Sequence, residues 1–164
     1  MRMGNLLLAI TLAASVAAGQ TKVSGSAQCS GKPIESHSIE VGDHPGHTYE
    51  ISKGSCAWTK PMEIAGLKSK DHTSVDFSEI DGNKASSFQS SAVGSMDNGD
   101  KYYSRAQSSP TTKNQKPESG EGTFTFTGGT GKLKGLKGKG TYTCTPEGDN
   151  VICDVQGEYS LPSK

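Results

Sequence analysis

Residues 141–161 read TYTCTPEGDNVICDVQGEYSL. Gly148-Asp149 lies at the middle of the polar stretch, and glycine suits the first central position of a type II′ hairpin turn. With that tip, Glu147 faces Asn150, Pro146 faces Val151, Thr145 faces Ile152 and Cys144 faces Cys153. Counting outward, the cysteines occupy a non-hydrogen-bonded pair, where opposed α-carbons stand about 4.5 Å apart, within disulfide reach. Pro146 falls where no N–H is owed to the partner strand. Two independent residues therefore fit one register, and it predicts a Cys144–Cys153 bridge. Past the turn, Val151, Cys153, Val155, Gly157, Tyr159 and Leu161 alternate with Asp154, Gln156, Glu158 and Ser160. That is the period of a strand with one buried face, and only Ile152 departs from it.

Working outward, the same period recurs. Phe124 and Phe126 alternate with threonines, Tyr49 and Ile51 with Thr48, Glu50 and Ser52. Cys56 shares a face with Trp58, and Val75 with Phe77. Further strands are predicted at Val23–Cys29, His37–Val41, Ser87–Met96 and Lys101–Ser108. Turn residues separate them at His44-Pro45-Gly46, Lys53-Gly54, Asp81-Gly82-Asn83 and Asp97-Asn98-Gly99-Asp100. Ser109–Gly120 is polar, contains Pro110 and Pro117, and reads as an exposed loop.

The chain has 164 residues and is 31% hydrophobic. From Gln20 onward only 38 of 145 residues are hydrophobic, and Leu, Ile, Val and Phe together number 20. So thin a core suits a bundle of helices poorly. Eight or nine short strands at even spacing predict an all-β fold, a closed antiparallel barrel or a sandwich; the preferred form is a small closed antiparallel barrel of about eight strands, in which closure removes exposed strand edges. Alternate residues line its interior, and the candidate lining is Tyr49, Trp58, Phe77, Tyr103, Arg105, Phe124, Phe126, Tyr142 and Tyr159. Arg105, the one arginine beyond Arg2, is placed to meet an anionic head group if it shares the inner face with Tyr103.

Met1–Gly19 has Arg2, an apolar run from Leu6 to Ala18, and Ala17-Ala18-Gly19 before Gln20. This is the pattern of a secretory signal peptide cleaved near Gly19/Gln20, leaving residues 20–164 as one periplasmic or secreted domain with no membrane span. All four cysteines follow it, and an even count in an exported small protein predicts disulfides. With Cys144–Cys153 assigned, elimination leaves Cys29–Cys56. Trp58 is expected to pack on that bridge. No C-x2-C spacing supports thiolate metal binding.

The remaining motifs are weaker. With Arg2 removed, 16 basic residues stand against 17 acidic ones, so there is no basic excess for nucleic acid. Asp43-His44-Pro45-Gly46-His47, with His37 nearby, has loose metal-ligand spacing, and a surface turn is the preferred reading, with no metal or other cofactor assigned. Glu63, Asp76 and Glu79 are isolated carboxylates, no Gly-x-Ser-x-Gly elbow occurs, and no catalytic set is assigned.

Phe126–Tyr142 reads FTGGTGKLKGLKGKGTY. It fails the P-loop pattern, since Leu133 follows Gly131-Lys132, and it fails the dinucleotide pattern at Lys134. Lys132, Lys134, Lys137 and Lys139 lack interleaved aromatics and read as a solvated turn. Gly128–Gly138 resembles the GGTG-x-aromatic-x-x-Ala-Arg-Gly stretch of the allene oxide cyclase and dirigent barrels, including their exported bacterial members. Leu133 stands at the aromatic position and Leu136-Lys137 at Ala-Arg. The resemblance implies an eight-stranded, calycin-like barrel with this stretch joining two late strands. It carries over no catalytic residue. The expected function is non-catalytic binding of a small apolar or amphipathic molecule. The alternatives are a cyclase-like or isomerase-like enzyme acting by confinement, and a structural envelope protein with a filled core.

Overall fold

The computed structural model describes residues 19–82, 84–108, 112–113, 116–117 and 120–163, with backbone only at 84, 86, 112–113 and 116–117. The proposed signal segment therefore lies outside the described residues except for Gly19. The strands are β1 (Thr21–Ser30), β2 (Glu35–Glu40), β3 (His47–Lys60), β4 (Glu63–Ile64), β5 (Leu67–Asp81), β6 (Lys84–Met96), β7 (Lys101–Ser108), β8 (Thr112–Lys113), β9 (Lys116–Pro117), β10 (Gly120–Gly129), β11 (Lys137–Glu147) and β12 (Asn150–Ser160). Eight of them close an antiparallel barrel in the order β1-β12-β11-β10-β7-β6-β5-β3, and β3 returns to β1. Most of the stretch read as a loop at 109–120 lies outside the described residues; within it β8 pairs with β9.

The hairpin register holds throughout: Glu147 pairs with Asn150, Pro146 with Val151 and Cys144 with Cys153. Gly148 has φ 60° and Asp149 has no positive φ, as a type II′ turn requires. Cys144–Cys153 and Cys29–Cys56 are both bridged, with α-carbons 4.0 and 3.9 Å apart. All four cysteines face the interior at one rim, the first bridge tying β11 to β12 and the second tying β1 to β3.

One turn expected from the sequence does not form. Lys53-Gly54 lies within an unbroken β3, where a Cβ on Gly54 would stand in tight contact with Ser74 Oγ and the Asp76 carboxylate, at 3.0 and 3.3 Å. The two halves of β3 have different neighbours. Cys56–Lys60 pairs with β1, whereas Thr48–Lys53 pairs with β2. Beyond the Cys29–Cys56 bridge, β2, β3 and β5, with the start of β6, continue past the barrel as a flap.

The opposite end is a solid floor. Ile64, Met96, Leu133 and Leu136 are at most 1% exposed and arrive from three separate connections. A two-residue turn at Ala65-Gly66, with φ 54° and 74°, folds β4 back onto β5. Its Ala65 N–H donates to the Tyr159 hydroxyl at 3.0 Å. Ser69 is buried and accepts the Met62 N–H at 2.8 Å. Gly128–Lys137 joins β10 to β11 through a single 3-10 turn at Gly131–Leu133. Gly131 has φ 52°, and the Asp100 carboxylate lies where its Cβ would be, accepting the Lys132 N–H at 2.9 Å. The four lysines of this stretch are exposed, as expected, while the leucines between them plug the barrel.

A sparse core suffices because the inward rings lie against inward glycines. Phe124 covers Gly140, Phe126 covers Gly138, Tyr102 covers Gly94 and Tyr142 covers Gly122. Each glycine yields the volume that its neighbour's ring fills, so the interior packs with few aliphatic side chains.

Candidate ligand cavity

A cavity of about 370 Å³ runs from the floor to the disulfide rim. Its walls alternate along β5, β6 and β7. His72, Ser74 and Asp76 of β5, Phe88, Ser90 and Ala92 of β6, and Tyr102, Ser104 and Ala106 of β7 all face it. Trp58 of β3, Phe124 and Phe126 of β10, and Tyr142 of β11 complete the aromatic part. The Trp58 indole N–H donates to the Tyr102 hydroxyl at 3.1 Å, spanning the cavity's lower end. Phe126 meets Phe124 and Tyr102 edge to face, with centroids 5.2 and 6.0 Å apart.

Among the described residues, three polar atoms in this lining are buried without a hydrogen-bond partner: His72 Nδ1, Asp76 Oδ1 and the Tyr142 hydroxyl. Ser108 lies beside that hydroxyl but not in bonding geometry. Burial pushes the Asp76 carboxyl above the usual carboxylate range, against the opposing effect of the nearby Ser90 hydroxyl and of the Ser74 hydroxyl, which donates to Oδ2 at 3.0 Å. Burial also pushes the His72 imidazole down, with Asp71 offsetting it in part, and pushes the Tyr142 phenol up. The cavity thus favours a neutral imidazole, a carboxyl that protonates readily and a phenol that keeps its proton. A ring nitrogen of His72 lies within 4.8 Å of both Cys29 and Cys56 sulfurs, but these are joined to each other and are not thiolate ligands.

The structure divides the residues chosen from the sequence. Trp58, Phe124, Phe126 and Tyr142 line the cavity. Tyr159 faces inward but is buried in the floor. Tyr49, Phe77, Tyr103 and Arg105 face outward. The reason is parity. With β3 continuous, Tyr49 and Cys56 must lie on opposite faces, and Cys56 is inside. Ile51 pairs with Phe77, so the outer face of β3 carries Phe77 with it, and Tyr49 stacks on Phe77 at 5.3 Å. Of the adjacent tyrosines, Tyr102 faces in and Tyr103 out, and Arg105 follows Tyr103. Arg105 therefore meets no ligand inside the barrel. Sequence reasoning missed His72, Phe88 and Tyr102, and it left Asp76 without a role. Parity counted back from Cys56 through an uninterrupted β3 places Tyr49 outside.

No protein-family model matches the sequence, and no curated protein matches it. Among solved structures, the chain is similar to that of a pterocarpan synthase dirigent protein, with a TM-score of 0.50 and 8% identity over 97% of this chain and 100% of that one. At that identity the likeness concerns the fold: this is a dirigent-like, disulfide-stabilised β-barrel. Among the described residues no helix is long and apolar enough to cross a membrane. Two disulfides fit a protein of an oxidising extracellular or periplasmic compartment.

Proposed function

We propose that this protein binds a small amphipathic molecule inside its barrel, with the molecule's apolar body against Trp58, Phe124 and Phe126 and its polar end at His72, Asp76 and Tyr142. The observation that carries this reading is the set of three unpartnered buried polar atoms facing one largely apolar cavity. Leaving a buried donor or acceptor unpaired costs about 1–3 kcal/mol each, and a ligand that pairs with them recovers part of it. A cavity of 370 Å³ is within the range of small-molecule sites. In this reading the protein acts outside the cytoplasm, as one domain of residues 20–164, after its first 19 residues are removed.

A second reading has one observation in its favour. Asp76, its pKa raised by burial, shares the cavity with the Tyr142 hydroxyl and acts on it electrostatically, a combination suited to proton transfer on a confined substrate, as expected of an allene oxide cyclase-like or isomerase-like enzyme. Native mass spectrometry of protein purified from its own host tests both. A co-purified small molecule, released unchanged and lost in Asp76→Ala, supports binding. Its conversion to an isomer on incubation supports the enzyme. A mass equal to the bare chain, with no change in Trp58 fluorescence across a panel of amphipathic compounds, overturns both.

A further inference from the structure

The flap carries a second cluster, remote from the cavity. Asp43 and His44 lie on the connection from β2 to β3, and His47 is the first residue of β3. Gly42 and Gly46, with φ 83° and 82°, turn the chain there. Two backbone hydrogen bonds clamp the turn, Val41 N–H to His47 O at 2.9 Å and Gly82 N–H to Gly46 O at 2.9 Å. The imidazoles of His44 and His47 stack with centroids 5.0 Å apart. Their Nδ1 atoms approach the same carboxylate: His47 Nδ1 is 2.8 Å and 3.0 Å from the two Asp43 oxygens, and His44 Nδ1 is 3.2 Å from Asp43 Oδ2. One donor atom from each of the three residues lies within 4.8 Å of the others.

The far side of each ring is also held, and by a different element. His47 Nε2 is 3.1 Å from Glu79 Oε1, and His44 Nε2 is 3.0 Å from Asp81 Oδ1, both carboxylates being on β5. Metal-binding histidines are oriented in this way, with the nitrogen opposite the metal donating its N–H to a carboxylate. Here both rings have such a partner, and both present Nδ1 to one further carboxylate. Ligands bound to zinc at about 2.0–2.1 Å in tetrahedral geometry stand about 3.3 Å apart. The separations of Nδ1 from Asp43 are already close to that, so small rotations of three partly exposed side chains admit an ion. His37 does not join, since it bonds Glu35 at 3.1 Å on β2.

We propose that Asp43, His44 and His47 form a binding site for a zinc-type divalent cation, with Glu79 and Asp81 orienting the two imidazoles and the fourth ligand position open to water. Two imidazoles and a carboxylate suit zinc better than the harder calcium or magnesium. Occupancy would close the β2–β3 turn on itself, on the side away from the β5 carboxylates that already hold both rings.

Isothermal titration of the purified protein with zinc chloride at pH 7.5 tests this. The expected result is one zinc per chain, lost at least tenfold in affinity in His44→Ala and in His47→Ala, weakened 10–100-fold in Glu79→Gln, and unchanged in His37→Ala. Long-range proton–nitrogen NMR of the imidazoles should place the zinc-induced shift at Nδ1 of both residues. Absence of zinc binding, binding that survives both alanine variants, or coordination through Nε2 overturns the proposal.

Discussion

The Trp58 indole N–H and the Tyr102 hydroxyl meet at 3.1 Å across the barrel, from β3 and β7, which are not neighbours in the sheet. Burial holds the Tyr102 phenol far above its usual pKa, so it stays neutral at any working pH and its oxygen remains available to accept. Tyr102→Phe removes that acceptor and leaves a buried indole N–H unpaired. We expect a loss of about 1–3 kcal/mol in urea unfolding, with the emission of the sole tryptophan altered in the folded state. Unchanged stability would mean that the bond contributes nothing net.

The aromatic rings depend on glycines of adjacent strands. A Cβ at Gly94 would stand 1.9–2.3 Å from atoms of the Tyr102 ring. Gly94→Ala should therefore cost about 1–3 kcal/mol by overpacking, although alanine suits a strand better than glycine. Gly99→Ala is a poor comparison because its φ is 89°; Gly120→Ala, with open space around it, should lie within about 0.5 kcal/mol of the parent. Thermal or urea unfolding of the two variants separates these outcomes.

Asp76 should make the protein less stable as pH rises. Its folded pKa is raised above the unfolded value of 3.8, so its contribution is fully present below that value and is lost as pH climbs through the folded one. Asp76→Asn abolishes this dependence. The expected readout is a variant more stable than the parent at pH 7, with the difference shrinking towards pH 3.5. A variant less stable at pH 7 would show that the ionised carboxylate is well solvated.

The bridges should contribute unequally. On the chain-entropy relation, Cys144–Cys153, nine residues apart, contributes about 2–3 kcal/mol, and Cys29–Cys56, 27 apart, about 3–4 kcal/mol. Paired serine variants compared by denaturant unfolding check the order. A larger loss from the short loop would reverse it.

The hairpin at 141–161 was legible to the residue because glycine, proline and cysteine each restrict register independently. The barrel followed from spacing and from the thinness of the core. What was not legible was which face points inward. Alternation separates two faces but does not label them. At Tyr49 and Ile51 of β3 and at Val75 and Phe77 of β5 the larger apolar side chains lie outside, and the inner face of β5 is given to Ser74, Asp76 and His72 around the cavity. Hydropathy alone points the wrong way there. The floor was missed for a different reason: Met62, Ile64 and Leu67 flank a tight turn, and too few residues precede or follow it to display a period.

β1 is hydrogen-bonded to β12 along its whole length and to β3 over only four residues. β1 is thus completed by a strand far along the chain. While the chain emerges N-terminus first, β1 has no main partner until β12 is made, a costly wait for a pairing of such sequence separation. Cys56 emerges much earlier than β12. A bridge to Cys29 at that stage would park β1 against β3 in its native register, shielding one edge and leaving the other ready for β12. Once formed, the rim disulfide holds the shorter of the two seams of β1 covalently.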